Sequence, residues 1–168
     1  YANLVHSGNT RRGGYRHRRG GGDGVVHAVA RCIRQQRRDN ARDAAKERLL
    51  RGEIGAPEML VVTSRDPGAP PAHYLKGSGG IFRDMTIHDF DMARFLLGEE
   101  VAEVSAMASV LVDPAIGKAG DSDSVQVMLR TATGKLAVIS TSRRATYGYD
   151  QRIEVHGSKG AVSAENQR

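Results

Sequence analysis

An aspartate and a histidine four residues apart, Asp84 and His88, carry the strongest chemical signal in this 168-residue sequence. They follow the glycine pair Gly79-Gly80 and stand at the start of an amphipathic pattern. Residues i and i+4 lie on one face of a helix, so both side chains would point into a cleft beside the helix start. An imidazole titrates near neutral pH, and a neighbouring carboxylate can orient it. The pair is a candidate for general acid/base catalysis, although a helix-start acid beside a surface histidine would show the same spacing.

The elements that would position this pair are helices and an antiparallel sheet. Residues 86–97 have a mostly apolar stripe at helical spacing and end at Gly98, and residues 41–50 form a second predicted helix capped by Asn40. Strands are predicted over residues 59–64, 101–112, 125–130, 136–142, 153–156 and 161–164. The fold class is therefore α+β, a mostly antiparallel open sheet with helices on one face.

The charge of the chain is unevenly distributed. The net charge of +6 divides into +9 over residues 1–51 and −3 over residues 52–168. Residues 1–38 form a basic, Gly- and Arg-rich arm without helical or strand periodicity, which predicts disorder. The same composition is typical of GC-rich DNA that is read out of frame. An alternative hypothesis is therefore that residues 1–36 are not native protein sequence. Residues 39–168 form the predicted domain, a partial substrate-binding and oligomerisation domain.

Composition excludes several other classes of protein. Cys32 is the sole cysteine, which precludes an intrachain disulfide and fits a reducing, cytoplasmic compartment. No apolar run approaches the roughly 20 residues that span a bilayer, and the N-terminus lacks a signal-peptide pattern. No pair of Cys or His residues has zinc-ligand spacing, and the acids of residues 113–123 do not fit a calcium loop, so they are interpreted as solvated and no metal is predicted.

Several longer segments resemble one protein family. Residues 51–162 resemble the second domain of the Gfo/Idh/MocA oxidoreductases, and within that family its bacterial myo-inositol 2-dehydrogenases. The resemblance rests on five segments in the family's order and spacing: Gly52-Glu53-Ile54-Gly55, Thr63-Ser64-Arg65-Asp66-Pro67, Tyr74-Leu75-Lys76, the 13-residue string Gly79–Asp91, and Ile153-Glu154-Val155-His156-Gly157-Ser158-Lys159-Gly160.

This resemblance implies a reaction and a set of site residues. Members of the family pass a hydride from a carbinol to NAD or NADP, which for this group means oxidation of myo-inositol to the 2-keto inositol. His88 matches the histidine that accepts the hydroxyl proton, and Asp84 matches its partner aspartate. Tyr74, Asp91 and Tyr147 fall where the family lines its polyol pocket. His73, beside Tyr74, is a weaker candidate for a substrate contact, whereas Tyr149 is expected to pack at a strand edge.

Other parts of the family's site are missing from this sequence. The family's lysine lies in a Glu-Lys-Pro motif that does not occur here, and no glycine-rich dinucleotide motif is followed by the required acid. The chain is thus expected to be a fragment without the NAD-binding domain, to provide no cofactor-binding residue and to be inactive alone. Homo-oligomerisation through the sheet is expected by resemblance. A non-catalytic polyol-binding or oligomerisation module, or a nucleic-acid-binding protein acting through residues 1–38, are the alternatives.

Overall fold

The computed structural model describes residues 4–5 and 40–166 of the chain. Its helices are α1 (Asn40–Leu50), α2 (Ala72–Ser78), α3 (Ile87–Leu97) and α4 (Pro114–Lys118), and a π-helical turn, Phe82–Thr86, directly precedes α3. Its strands are β1 (Leu4–Val5), β2 (Pro57–Arg65), β3 (Val101–Ser109), β4 (Ser124–Thr131), β5 (Leu136–Ser142), β6 (Asp150–Gly157) and β7 (Gly160–Glu165). The predicted basic arm lies, apart from Leu4 and Val5, outside the described residues.

The strands form one open sheet in the order β1-β3-β4-β5-β2-β6-β7. Neighbouring strands are antiparallel except β2 and β5, which run parallel. The β4–β5 hairpin turns at Gly134, whose φ of +95° is a backbone conformation that glycine adopts without strain. The predicted α+β class with a mostly antiparallel sheet is confirmed.

One face of the sheet is covered by helices and forms the core. On β4, Val125, Val127 and Leu129 are buried while the residues between them are exposed, as the alternation in the sequence predicts. Residues from α1 and α3, including Ala45, Leu96 and Leu97, pack on this face. Each fully buried aliphatic side chain contributes roughly 1.5–3 kcal/mol to folding, so this layer fixes α3 against the strands.

Two lysines hold the C-terminal end of α3. Lys46 Nζ donates to the carbonyl of Phe95 at 2.6 Å, and Lys135 Nζ donates to that of Leu97 at 2.8 Å. Cations at a helix C-terminus are favoured by the helix dipole. Lys135 also pairs with Glu99 at 2.7 Å, and hydrogen bonds from Lys135 and Thr133 lower the pKa of Glu99 to about 2. These contacts anchor the helix that begins next to the candidate site.

The opposite face of the sheet carries no helix within the described residues. The strand register places six exposed apolar side chains on this open face: Met59, Val61, Met107, Met128, Leu136 and Val138. Between 37% and 66% of each residue's surface is exposed. A contiguous apolar area of this kind on a sheet marks an interaction surface.

The structure departs from the predictions at three points. The segment after Pro71, predicted as part of a loop, is the short helix α2. Strand β3 ends at Ser109 rather than at residue 112, because Asp123 accepts hydrogen bonds from the backbone of residues 111–113 and bends the chain into α4. The interpretation of the acids in residues 113–123 as solvated is therefore wrong for Asp123, which is fully buried.

Candidate functional site

A cleft of about 310 Å³ lies where the end of β2, the helix α2, the π-helical turn and the segment after β5 meet. Its lining is polar and contains two carboxylates, an imidazole, a guanidinium and two phenols: Ser64, Asp66, Gly68, Pro70, Tyr74, Asp84, Met85, His88, Arg143 and Tyr149. Such a mixture of hydrogen-bond donors and acceptors in a small concave space suits a hydroxyl-rich molecule.

The two glycines before Asp84 make the turn that leads into the cleft. Gly79 and Gly80 have φ angles of +84° and +83°, and Gly79 ends α2. A Cβ atom at Gly80 would lie 2.8 Å from Asp121 Oδ1, which already accepts a hydrogen bond from the Ile81 N–H at 3.0 Å. Glycine is thus required at this position by both backbone conformation and space.

The π-helical turn presents Asp84 and His88 to the same cleft. The turn contains Asp84, and His88 is the second residue of the following helix α3. Thr86 and Met85 are buried, and Thr86 Oγ1 donates to the carbonyl of Ile81 at 3.2 Å. Single π-helical turns of this kind occur frequently at functional sites, and the predicted juxtaposition of the two side chains is present here.

Both carboxylate oxygens of Asp84 accept hydrogen bonds. Oδ1 accepts from the Tyr74 hydroxyl at 2.5 Å, and Oδ2 accepts from Arg143 Nη1 at 2.9 Å. The bond to Asp84 is the main cause of a raised Tyr74 pKa, to which burial and the charge of Asp84 add and which the Arg143 charge opposes. Asp84 therefore has a fixed orientation, and Tyr74 stays a neutral donor around neutral pH.

Asp66 is a second carboxylate in the cleft. Burial raises its pKa, the positive charge of Arg143 opposes that rise, and the negative charge of Asp84 adds to it. A single guanidinium thus faces two carboxylates, and one of these is easier to protonate than an ordinary aspartate. Asp66 can therefore serve a bound ligand as an acceptor or, when protonated, as a donor.

His88 is half-buried and lines the cleft. Its Nδ1 atom is enclosed by the protein. A histidine in this position can take a proton from a bound hydroxyl.

The other predicted site residues lie outside the cleft lining. The Tyr147 hydroxyl donates to Asp150 Oδ2 at 2.7 Å, whereas Tyr149, expected to pack at an edge, lines the cleft and donates to Gln151 Oε1 at 2.9 Å. His73 is exposed on α2, and Asp91 is half-buried on α3. The substrate roles of Asp91, Tyr147 and His73 stay predictions.

Sequence reasoning gave no role to Arg143 or Asp66. Arg143 carried no signal, since it stands 59 residues from the aspartate it pairs with. Asp66 had a weak signal, because it lies two residues after the predicted strand over residues 59–64, where polar side chains often form sites.

Within the described range, residues 4–5 and 40–166, no group of three His, Cys, Asp or Glu side chains could hold a metal ion. None of the helices described there is long and apolar enough to cross a membrane.

Comparison with known proteins decides the family. Residues 43–163 match the family model of the GFO/IDH/MocA C-terminal domain. The chain belongs to the Gfo/Idh/MocA family. The match begins within α1 and ends in β7, so it contains the whole cleft, and the resemblance inferred from the five sequence segments is confirmed.

Several proteins that are named as inositol dehydrogenases are similar to this chain. An inositol 2-dehydrogenase from Rhizobium meliloti is 71% identical over 125 residues, which are 74% of this chain and 38% of that protein. The structure of a myo-inositol dehydrogenase from Corynebacterium glutamicum is matched with a TM-score of 0.76 and 47% identity over 79% of this chain and 40% of that one. The chain therefore spans about two fifths of the length of these relatives.

A third relative has been solved with its ligands. It is a scyllo-inositol dehydrogenase from Lactobacillus casei with bound NAD(H) and scyllo-inositol, matched with a TM-score of 0.69 and 28% identity over 83% of this chain and 44% of that one.

Proposed function

We propose that this chain forms the polyol-binding half of an NAD-dependent inositol dehydrogenase, with His88 as the proton acceptor and Asp84 as its partner. The observation that carries the proposal is that Asp84 and His88 line one polar cleft in which both Asp84 oxygens are already hydrogen-bonded. The names of the relatives support inositol as the substrate class. Such an enzyme would act in the cytoplasm, where its nicotinamide cofactor is available.

The cleft supplies the groups that the reaction needs on the substrate side. Hydroxyls of a polyol can donate to the carboxylates of Asp66 and Asp84 and to the hydroxyl oxygen of Tyr149. His88 takes the proton of the reacting hydroxyl as the carbon–oxygen double bond forms and the hydride leaves the same carbon. NAD, when bound, supplies the hydride acceptor. Asp84, fixed by Tyr74 and Arg143, holds the imidazole or the hydroxyl in line.

A hybrid enzyme tests this function. In it, residues 43–163 of this chain replace the matching segment of the Rhizobium meliloti inositol 2-dehydrogenase. We expect the hybrid to reduce NAD with myo-inositol, as followed by NADH absorbance, and the 168-residue chain alone to give no measurable turnover. A folded hybrid without activity toward myo-inositol or scyllo-inositol would contradict the proposed function.

A second role, assembly through the sheet, is favoured by the open face. We propose that two copies of the chain pack against one another through Met59, Val61, Met107, Met128, Leu136 and Val138. Burial of the apolar surface that these residues still expose is worth roughly 25 cal/mol per Å², and a symmetric contact buries each of them twice. This proposal stands independently of the catalytic one.

Replacing Met128 with glutamate (Met128→Glu) is expected to convert the oligomer into a monomer, because removing a charge from water at the centre of an apolar contact costs free energy. Light scattering on a sizing column measures the mass of each form. The matched control is Leu111→Glu, since Leu111 is 69% exposed and lies outside the sheet. A native chain that is monomeric at high concentration, or a Met128→Glu variant of unchanged mass, would contradict assembly through this face.

A further inference from the structure

Arg143 follows β5 directly and lines the cleft with 1% of its side chain exposed. Its Nη1 donates to Asp84 Oδ2 at 2.9 Å, and its Nη2 donates to Asp121 Oδ2 at 3.4 Å. Its backbone N–H donates to the carbonyl of Asp123 at 2.8 Å, which fixes the base of the side chain. The guanidinium therefore bridges a carboxylate of the cleft to a carboxylate behind it.

Asp121 connects this bridge to the glycine turn. Its Oδ1 accepts the Ile81 N–H and leaves no space for a Cβ atom at Gly80. The turn leads within four residues to Asp84, so both ends of the bridge fix the position of the same segment. A planar guanidinium can hold two carboxylates at set angles, whereas a lysine ammonium acts as a point charge without that geometry.

Stability alone does not account for a buried arginine at this position. Transfer of two charges from water into a protein costs free energy that their attraction often only offsets. Within the described part of the chain, Arg143 Nε is buried and has no hydrogen-bond partner, which adds to that cost. A costly group whose side-chain hydrogen bonds go to two carboxylates, a short one to Asp84 and a longer one to Asp121, points to the geometry that those contacts enforce.

We propose that Arg143 is the positioning residue of the site: it holds the Asp84 carboxylate against Tyr74 and beside His88, with Asp121 as its second anchor. Its value for catalysis rests on the proposed dehydrogenase function, since Arg143 acts through Asp84. The positioning itself is a property of the folded chain and can be measured without turnover.

The alternative is that Arg143 affects Asp84 and Tyr74 only through its charge. The two possibilities predict opposite changes in the pKa of Tyr74. The hydrogen bond to Asp84 is the largest cause of the raised Tyr74 pKa, and the charge of Arg143 lowers that pKa. If Arg143 positions Asp84, its loss releases the carboxylate and the Tyr74 pKa falls. If it contributes charge alone, its loss raises the Tyr74 pKa further.

The experiment is a pH titration of the 168-residue chain labelled with ¹³C at the tyrosine phenol carbon. A Tyr74→Phe variant assigns the Tyr74 signal, and Asp84→Asn gives the value without the carboxylate. Arg143→Lys keeps the charge but not the planar fork, and Arg143→Met removes both. Circular dichroism reports which variants are folded.

The proposal expects the Tyr74 pKa to fall toward the Asp84→Asn value in both Arg143 variants. An Arg143→Lys variant with a Tyr74 pKa equal to or above that of the native chain would overturn it, as would an increase in a folded Arg143→Met variant. Should Arg143→Met not fold, Arg143→Lys decides the matter, because it leaves the total charge unchanged.

The hybrid enzyme tests the catalytic consequence. There Arg143→Lys is expected to lower kcat by about 10²-fold with a much smaller change in KM, since misplacement of a group near the reacting atoms costs about that much. An inactive unsubstituted hybrid would contradict the proposed function but not the positioning seen by NMR. An active hybrid whose kcat is unaffected by Arg143→Lys would overturn the catalytic role of Arg143 alone.

Discussion

Replacing His88 with asparagine (His88→Asn) is expected to lower kcat of the hybrid enzyme roughly 10²- to 10⁴-fold, the usual contribution of a general acid/base. Asparagine keeps a polar side chain of similar reach but cannot take up the hydroxyl proton, so binding of inositol should change much less than turnover. Steady-state kinetics with myo-inositol and NAD give kcat and KM for both forms.

The control for this prediction is the same substitution at another histidine. His156 lies on β6 and pairs with Glu154, outside the cleft lining, so His156→Asn should leave kcat within a few-fold of the native value. A His88→Asn enzyme that keeps nearly native turnover would show that another group accepts the proton.

Replacing Asp123 with alanine (Asp123→Ala) should lower the free energy of unfolding by about 2–3 kcal/mol, as expected when hydrogen bonds to a buried charged group are lost. The carboxylate of Asp123 is fully buried and accepts backbone N–H bonds from Leu111 at 2.8 Å, Val112 at 2.9 Å and Asp113 at 3.1 Å. Urea unfolding at neutral pH measures the loss. Asp113→Ala is the matched control, because it removes only the N-cap bond to the Ala115 N–H and should cost about 1 kcal/mol.

The same residue makes the domain sensitive to acid. Burial alone would raise the Asp123 pKa, but the bonds from Leu111, Asp113 and Val112 outweigh it and the pKa is lowered from 3.8. A lowered pKa in the folded state stabilises the fold above about pH 4, and this stabilisation is lost as the pH falls through the folded value. Asp123→Ala should therefore show less loss of stability in this acid range than the native chain, and an identical acid profile would contradict this role of Asp123.

Local sequence patterns were sufficient for most of the fold. The alternation at Val125, Val127 and Leu129 and the turn at Gly134 predicted the β4–β5 hairpin, because period-2 burial and a glycine turn leave few other structures. The helix α2 escaped prediction because its seven residues are too few to show a helical period, and they follow a proline-rich loop. The parallel pairing of β2 with β5 depends on tertiary packing, which no local sequence pattern indicates.

The site was predictable only where its residues are neighbours in sequence. Asp84, His88 and Tyr74 stand within one short segment that helix geometry and the family resemblance bring together. Arg143 joins them through a contact across 59 residues, which neither spacing nor composition indicates. Tyr147 and Tyr149 are two residues apart in the same connection, and the fold turns Tyr149 into the cleft instead of Tyr147.

The most direct test of the central claim, that this cleft binds the reacting polyol, is a crystal structure of the hybrid His88→Asn enzyme with NAD and myo-inositol. We expect inositol in the cleft, with one hydroxyl about 3 Å from the side chain of residue 88 and with Asp84 held by Tyr74 and Arg143. Inositol bound away from Asp84 and residue 88, for example beside Asp91 and Tyr147 only, would contradict it.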